Sequence, residues 1–284
     1  MENVTIVIPA KNEVESLKVL LPKIRQLHYD IEIIVVNDGS TDETSRVCSE
    51  ASVTEIIHPY SKGNGAAIKT GARAASGDII LFMDGDGQHS PDDISRLIDK
   101  VESGFDLVVG ARQTGSQASV GRSMANRFYN RLSSYMTGQK VEDLTSGFRA
   151  VRKDMFLQFL NLLPNGFSYP TTSTMAFFRA GYTVGYVPID ASQRVGQSHI
   201  KPFRDGIRFL LIIFKIGTLY SPLKIFVPMA VAVFGLGLMR YIYTYLAVGS
   251  FTNMSATLFV ASAQIFLIGL VSEQLTSLMY KDDR

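Results

Sequence analysis

The residues best suited to chemistry are two carboxylates that stand one residue apart, Asp84 and Asp86, in the run DGDGQ. They follow the apolar stretch ILFM, which predicts a buried strand. Carboxylates this close at a strand end can share one hard cation, and Mg²⁺ or Mn²⁺ suits oxygen ligands and leaves positions for phosphate oxygens. The two glycines let the backbone turn tightly beside a ligand. The alternative is a solvated turn with capping aspartates.

Two other polar segments precede predicted helices, and the first of them follows a predicted buried strand. In NDGSTD, residues 37–42, Asp38 can accept hydrogen bonds from a base or ribose, whereas Ser40 and Asp42 can equally cap the next helix. We favour the ligand role for Asp38 and the cap for the other two. In SKGNGAA, residues 61–67, a glycine-rich helix start with Lys62 can hold an anion, although a flexible loop is an equal alternative.

Basic residues are frequent after the fourth predicted strand. Between residues 110 and 149 they are Arg112, Arg122, Arg127, Arg131, Lys140 and Arg149. The segment TSGFR ends in Arg149 and could clamp a phosphate, and Arg194, Ser198, His199 and Lys201 form a second group. For any single one of these residues a solvated surface position is the usual alternative. The four histidines show no metal-ligand spacing.

The elements that must position these residues alternate along residues 1–200. The runs VTIVIPA, IEIIVVND, DIILFMDGDG and FDLVVGAR predict strands, and helices are predicted over about 13–27, 41–52, 64–75 and 91–103. Such alternation is typical of a parallel sheet with helices on both faces, which binds ligands at the carboxyl ends of its strands. Three of the four strands run directly into polar residues at that end, namely residues 9–13, 37–40 and 84–88.

The C-terminal part has the composition of a membrane segment. Between Lys224 and Glu273 lie 48 residues with one charge, Arg240, enough for two spans over about 220–243 and 255–278. Tyr241, Tyr243 and Tyr245 would form an aromatic belt, beside which Arg240 would snorkel to the headgroups. A buried functional arginine, and a buried helical hairpin in a soluble protein, are the alternatives.

Residues 201–219 join the two parts and predict a basic amphipathic helix in the membrane interface, with an ordinary surface helix as the alternative. Basic residues before the first span are Lys201, Arg204, Arg208, Lys215 and Lys224, so the positive-inside rule predicts that residues 1–220 and both termini are cytoplasmic. No signal peptide is expected before the first strand.

Composition excludes several classes of protein. The 284 residues are 46% hydrophobic and 19% charged, with a mean hydropathy of +0.13 and a net charge of +2, too small to suggest a nucleic-acid binder. The single cysteine, Cys48, excludes an intramolecular disulfide framework, fits a reducing compartment and is expected in the core. The sequence leaves the oligomeric state open, a homo-oligomer included.

Seven blocks in one order resemble glycosyltransferase family 2, the inverting A-type enzymes, and within it the polyprenyl-phosphate group of the dolichyl-phosphate mannose synthase type. The blocks are PAKNE, VVNDGSTD, KGNGAAIKTG, FMDGDGQ, VGAR, DLTSGFR and RVGQSHIKPFRDG, and they cover residues 4 to about 215. The resemblance implies an α/β GT-A domain with a mostly parallel sheet over residues 1–200. It also implies an amphipathic interfacial helix over 201–219 and two transmembrane helices with a short cytoplasmic tail over 220–284.

The resemblance also implies a role for each matching residue. The donor nucleotide would be bound by Pro9, Ala10, Asn12, Glu13, Val36, Asp38, Lys62, Gly65 and Met83. Mg²⁺ or Mn²⁺ would be held by Asp84, Asp86 and Gln88. The acceptor phosphate would be surrounded by Arg112, Arg122, Ser146, Arg149, Arg194 and Ser198. The catalytic residues would be Asp84, Asp86, Arg112, Asp143, Arg149 and Arg194, with Asp143 a candidate for positioning only.

The implied reaction moves a sugar from a nucleoside-diphosphate sugar to undecaprenyl or dolichyl phosphate at the cytoplasmic membrane face, with inversion of the anomeric carbon. Two departures are notable: Asn37 stands where many members have Asp, and His199 where many have Lys. The alternatives are a processive polysaccharide synthase, a membrane-anchored nucleotide-binding protein without turnover, and a nucleotidyltransferase. The chain has no Trp and so lacks the Q-x-x-R-W signature of the processive enzymes.

Overall fold

The computed structural model describes residues 3–27, 31–113, 120–166, 168–190 and 221–279, together with positions 211, 214, 217 and 218. For residues 120–125 it describes the backbone alone. The chain divides into two compact units, Met1–Ile200 and Lys201–Arg284. Most of the predicted interfacial helix over 201–219 therefore lies outside the described residues.

A seven-stranded sheet forms the centre of the first unit. Its strands are β1 (Val4–Ala10), β2 (Ile31–Asn37), β3 (Thr54–Ile57), β4 (Ile79–Phe82), β5 (Leu107–Arg112), β6 (Arg149–Arg152) and β7 (Val184–Ile189). Their order in the sheet is β3-β2-β1-β4-β6-β5-β7. Only β6 runs antiparallel to its neighbours, β4 and β5. This confirms the predicted α/β class with a mostly parallel sheet.

Helices cover both faces of the sheet. They are α1 (Val14–Arg25), α2 (Thr44–Glu50), α3 (Asn64–Ala74), α4 (Asp93–Glu102), α5 (Val120–Thr137), α6 (Lys153–Gln158) and α7 (Tyr169–Ala180). One face carries alternate β1 residues such as Ile6 and Ile8, which pack in one cluster with the apolar sides of α1, α2 and α4. The other face carries Val7 and Phe82; α3 packs on Val7, and Phe82 contacts rings of α6 and α7.

The predicted helices and strands are present, with ends shifted by one to three residues in most cases. Cys48 lies buried on α2 as expected, and burial raises the pKa of its thiol to about 11. Sequence analysis missed β3, β6 and β7 and assigned nothing to α5, α6 and α7. Two of the missed strands have four residues each, and β7 is an edge strand interrupted by Gly185 and Pro188, so none of them produces an apolar run.

The second unit contains a helical hairpin. Helix α8 (Leu223–Val248) and helix α9 (Asn253–Met279) are joined by a turn that starts at Gly249, whose φ is +70°. Gly237 lies against Phe259 and Gly269 against Phe226, which lets the two backbones approach closely. The hydroxyl of Ser262 donates to the carbonyl of Ala230 across the hairpin at 2.9 Å.

Both hairpin helices are long and apolar enough to cross a membrane, with mean hydropathies of 1.9 and 2.0 in their most apolar stretches. Only 11% and 17% of those stretches are buried inside the protein. Exposure of this extent disfavours the alternative of a core hairpin in a soluble protein and favours membrane anchoring. Tyr241, Tyr243 and Tyr245 lie near the end of α8, and Arg240 beside them is exposed rather than buried.

Candidate active site

The site lies at the carboxyl ends of β4 and β5, next to the point between β1 and β4 where the strand order reverses. Asp84 and Asp86 follow β4 directly. Because β6 is antiparallel and Arg149 is paired with Phe82, residues 143–148 enter the sheet at this same edge. An edge of this kind is the usual ligand position in open α/β sheets. The antiparallel strand thus brings the TSGFR segment beside the aspartates.

Asp84 lies at the centre of this cluster, and its side chain is 32% exposed. The ring nitrogen Nε2 of His89 lies 3.9 Å from its Oδ2. Gly147 is so close that an added Cβ would stand 2.7 Å from the same oxygen. Burial alone would raise the pKa of Asp84, but the interactions with His89, Asn64 and Arg112 outweigh it and hold the pKa below its usual range. The carboxylate is therefore ionised at neutral pH.

Asp86 is 8% exposed, and its Oδ1 accepts a hydrogen bond from the backbone N–H of Gln88 at 3.2 Å. This local turn orients the carboxylate, while the Gln88 side chain remains partly exposed. Within the described ranges no three His, Cys, Asp or Glu side chains form a metal-binding group. The chain can thus offer a cation two carboxylates and one amide oxygen here.

Polar atoms without partners support that fit. Among the described residues, three buried side-chain atoms near Asp84 have no hydrogen-bond partner: Asn64 Oδ1, His89 Nδ1 and Ser146 Oγ. Asn64 and His89 interact with Asp84, and Ser146 precedes Gly147. Buried polar atoms are nearly always paired in native proteins, so these three indicate a region that is completed by a polar ligand. Hard oxygen donors beside such a region fit Mg²⁺ or Mn²⁺ with its phosphate ligands.

Arg112, the last residue of β5, is held by Asp143. Its Nε donates to Oδ2 at 2.8 Å and its Nη2 to Oδ1 at 3.0 Å, a bidentate pair. The hydroxyl of Thr145 also accepts from Nη2, at 2.7 Å. Burial opposes both charges, yet the pair lowers the pKa of Asp143 and raises that of Arg112. Asp143 therefore positions Arg112, whose side chain is 25% exposed and electrostatically coupled to Asp84.

Arg149 does not occupy the predicted position at the acceptor phosphate. Its side chain is completely buried. The guanidinium donates to the carbonyls of Ser146 and Pro170 and to the hydroxyls of Ser173 and Thr174. A phosphate cannot reach a group with no accessible surface, so the predicted contact between Arg149 and the acceptor phosphate is wrong. Arg149 instead holds the backbone of Ser146, one residue before Gly147.

Asp38 also differs from its predicted role. Its carboxylate accepts four hydrogen bonds, from His58 Nδ1 (2.7 Å), the Ser61 hydroxyl (2.7 Å), and the backbone N–H groups of Lys62 (2.8 Å) and Gly63 (2.9 Å). A carboxylate has about four acceptor positions. Asp38 is thus saturated by its own chain and fixes the loop that leads into α3. Direct binding of a base or ribose by its side chain would require one of these bonds to break.

The network at Asp38 makes stability depend on pH. Burial opposes ionisation, but the donors from His58, Lys62, Ser61 and Gly63 outweigh it and lower the pKa of Asp38 from 3.8 to about 2. Because the folded pKa is the lower one, the stabilisation is complete above pH 4 and is lost as the pH falls toward 2.

We expect Asp38→Asn to lower the free energy of unfolding by about 2 kcal/mol at neutral pH, since one pKa unit is worth about 1.36 kcal/mol. The difference from the wild type should shrink between pH 4 and pH 2. Denaturant unfolding of both proteins across that range measures it. An unchanged difference at pH 2 would contradict this assignment.

The other predicted donor residues fall into two groups. Asn12, with φ +57°, accepts from the backbone N–H of Thr41 through its Oδ1, and its own N–H donates to Ser40. This links the loop after β1 to the loop after β2. The first group has side chains with accessible surface and consists of Pro9, Asn12, Glu13 and Lys62. An open cleft of about 520 Å³ lies beside Asn12 and Glu13.

Members of the second group have their side chains inside the protein. Ala10, Val36 and Met83 are at most 2% exposed, because they lie on or directly after central strands. Only their backbone could face a donor. Gly65 packs on the segment 164–166, since an added Cβ would stand 2.1 Å from the carbonyl oxygen of Pro164. Its small size is therefore explained by packing.

The side chains of three predicted acceptor residues lie outside the described part of the structure. Arg194 and Ser198 lie outside the described residues, and the side chain of Arg122 is not described. His199, noted with them, lies outside as well. Ser146 is described: it is buried, its N–H donates to Asp143 at 3.1 Å, and its hydroxyl is one of the three unpartnered atoms.

Sequence reasoning missed several residues of the cluster. They are Asn64, His89, Gly147 and Tyr169, whose hydroxyl donates to the carbonyl of Gly147 at 3.2 Å. For His89 a signal was available, since it follows Gln88 directly. Metal-ligand spacing identifies histidines that bind a metal directly, so it does not identify a histidine that contacts a carboxylate.

Comparison with known proteins identifies the family of both parts of the chain. Residues 5–160 match the family described as Glycosyl transferase family 2, and residues 221–278 match the GtrB C-terminal hairpin. An undecaprenyl-phosphate 4-deoxy-4-formamido-L-arabinose transferase from Pseudomonas fluorescens is 30% identical over 99% of this chain and 87% of its own. A polyprenol monophosphomannose synthase from Mycolicibacterium smegmatis is 29% identical over 66% of this chain and 77% of its own.

Among solved structures, glucosyl-3-phosphoglycerate synthase from Mycobacterium tuberculosis, crystallised with Mn²⁺ and uridine diphosphate, has a TM-score of 0.59. It is 22% identical and covers 75% of this chain and 80% of that one, a likeness that shows the fold. Because the family match spans more than half of the chain and a relative at 30% identity spans nearly all of it, this chain belongs to glycosyltransferase family 2 and carries a GtrB-type C-terminal hairpin.

Proposed function

We propose that this glycosyltransferase transfers a sugar from a nucleoside-diphosphate sugar to a polyprenyl phosphate, with inversion, dependence on a divalent cation, and catalysis at the cytoplasmic membrane face. The observation that carries the proposal is the pairing of two chemistries in one chain. Asp84 and Asp86 stand with Arg112 at the ligand edge of the sheet, and an exposed apolar hairpin follows. The printed activities of two relatives, both named for polyprenyl or undecaprenyl phosphate, support it.

Asp84, Asp86 and Gln88 would hold the cation. When bound, Mg²⁺ or Mn²⁺ neutralises charge on the leaving diphosphate. The chain contributes an ionised Asp84 and a turn that orients Asp86. Asp84 is thus ready to bind a cation without a change in its protonation.

Arg112 has the next role, because two anionic reactants must meet. A phosphate monoester is already ionised near pH 7, so the nucleophile needs positioning more than deprotonation. Arg112 is partly exposed and is held rigidly by Asp143. We assign Arg112 to screen the acceptor phosphate. Both carboxylate oxygens of Asp143 accept hydrogen bonds from Arg112, so we assign Asp143 to positioning and not to proton transfer. Direct attack by the phosphate oxygen on the sugar would invert the anomeric carbon.

The hairpin gives the membrane part of the proposal its physical reason. A polyprenyl chain stays in the bilayer, so a site that acts on its phosphate must be kept at the surface. Helices α8 and α9 are suited to this, and the basic residues between 201 and 224 support a cytoplasmic orientation by the positive-inside rule. The donor is a nucleotide sugar whose sugar and base stay unassigned, because the two relatives act on different sugars.

The test uses the full chain in detergent with a panel of radiolabelled UDP- and GDP-sugars and with undecaprenyl or dolichyl phosphate. We expect label from one donor in a charged lipid fraction, only when Mg²⁺ or Mn²⁺ is present. Label in insoluble polymer would support the processive synthase instead. Binding of nucleotide without any labelled lipid would support a protein without turnover.

A further inference from the structure

His89 is buried against the cluster, and the roles assigned so far leave it without one. Its ring is 6% exposed and stacks on Phe148, with centroids 4.8 Å apart and an interplanar angle of 15°. Phe148 itself is fully buried and directly precedes β6. The stack fixes the plane of the imidazole. In this plane Nε2 is directed to Asp84, at 3.9 Å from Oδ2.

Packing alone accounts for a flat ring at this position but not for a polar one. A phenyl ring would stack on Phe148 equally well and would leave no buried nitrogen without a partner, as Nδ1 is left. Burying a polar ring next to Asp84 is explained if an N–H group of that ring is needed as a hydrogen-bond donor to the carboxylate. A neutral ring with its proton on Nε2 suffices for this.

We propose that His89 is a positioning residue for the cation site: its Nε2–H holds Oδ2 of Asp84, so that the other oxygen of Asp84 faces the cation. This inference rests on the proposed metal dependence. Partners of this kind around a ligand carboxylate typically change metal affinity by about 10–100-fold when removed. The two atoms are 3.9 Å apart, beyond hydrogen-bond distance, so the proposal requires this contact to shorten when a cation binds, as hydrogen bonds at such sites commonly do.

Three substitutions at one position separate the hydrogen bond from the stacking. His89→Phe keeps a ring on Phe148 and removes the donor. His89→Gln places an amide nitrogen near the position of Nε2, whereas His89→Asn places it near the position of Nδ1, which has no hydrogen-bond partner. The full chain in detergent is titrated with Mn²⁺, alone and with UDP or GDP, and free Mn²⁺ is followed by electron paramagnetic resonance. Thermal unfolding without metal is recorded for each variant.

We expect His89→Phe and His89→Asn to weaken Mn²⁺ binding about 10–100-fold, and His89→Gln to recover most of this loss. In transfer assays the half-saturating Mn²⁺ concentration should rise in parallel, while the KM for lipid phosphate stays unchanged. Equal Mn²⁺ affinity in His89→Phe and wild type would overturn the inference and leave the proposed function intact. If the variants at position 89 unfold at lower temperatures but bind Mn²⁺ as tightly as the wild type, the inference is also overturned, because His89 would then contribute to packing alone. A wild type that binds no Mn²⁺ with either nucleotide would overturn the metal dependence itself and this inference with it.

Discussion

Replacing either aspartate of the DGDGQ run by asparagine is expected to reduce sugar transfer by about 1,000-fold. A bound cation contributes several kcal/mol of charge stabilisation, and about 4 kcal/mol corresponds to three powers of ten in rate. In Asp84→Asn and Asp86→Asn one negative charge is lost while the shape is kept. An asparagine at position 86 still accepts the Gln88 N–H through its Oδ1, so the turn survives. Initial rates of labelled lipid formation at saturating donor measure the effect.

The matched control is Asp92→Asn, the same chemical change on an exposed residue six positions after Asp86. It should transfer at the wild-type rate. The unfolding temperatures of Asp86→Asn and Asp92→Asn should stay near that of the wild type, because asparagine preserves the volume. Asp84→Asn should unfold at a somewhat lower temperature, because the interactions that lower the pKa of Asp84 stabilise its ionised form in the folded protein. Transfer by Asp84→Asn and Asp86→Asn at a rate within tenfold of the control would remove the basis for metal-assisted catalysis here.

Arg149→Met is expected to be the most destabilising single change in the site. Methionine fills much of the volume, but the carbonyl of Ser146 loses two N–H donors and the hydroxyls of Ser173 and Thr174 lose one each. The carbonyl of Pro170 keeps the Ser173 hydroxyl as a donor. Unpaired buried acceptors cost about 1–3 kcal/mol each, and partial rearrangement of the hydroxyls leaves a total of about 3–5 kcal/mol. For a domain of this size that lowers the unfolding temperature by about 10 °C. Near-ultraviolet circular dichroism of the tyrosines follows the unfolding.

Arg149→Lys tests the geometry of the same site. An ammonium group keeps the charge but cannot reproduce the planar fork, so we expect an intermediate loss of stability. Arg46→Met is the surface control: Arg46 is 58% exposed, and among the described residues its ion pairs are with Glu43 and Glu50, so its loss should cost less than about 1 kcal/mol. If Arg149→Met unfolds at the same temperature as this control, Arg149 does not hold the 146–147 backbone in the way described.

The surroundings of the two arginines explain why Arg112 is accessible to a ligand and Arg149 is not. Arg112 ends an inner strand at the ligand edge and keeps a quarter of its side-chain surface exposed. Arg149 starts the antiparallel strand at the same edge, but its side chain turns under the 145–148 segment toward α7. Both are arginines next to polar loops in the sequence, and nothing in their neighbours separates them. Only the direction of β6 and the packing of α7 do.

Long apolar runs let the sequence identify the central strands, the two hairpin helices and the class of the fold. Burial of β1, β2, β4 and β5 requires continuous hydrophobic stretches, and crossing a membrane requires even longer ones. The polar segments after these strands could be located for the same reason, because a buried parallel strand must end where polar residues begin. Short or edge strands carry no such requirement, and β3, β6 and β7 were missed.

By itself, then, the sequence determined which residues lie at the ligand edge: Asp84, Asp86 and Arg112 follow or end central strands, and local patterning is enough to assign them. Tertiary structure decided what each polar side chain does there. The carboxylate of Asp38 accepts four hydrogen bonds from residues 58–63, and that of Asp143 accepts from Arg112. The guanidinium of Arg149 donates to residues of α7. Each polar side chain can make only a few hydrogen bonds. Whether the chain itself supplies the partners depends on contacts between residues that are 20 or more apart in the sequence, and no local pattern encodes such contacts.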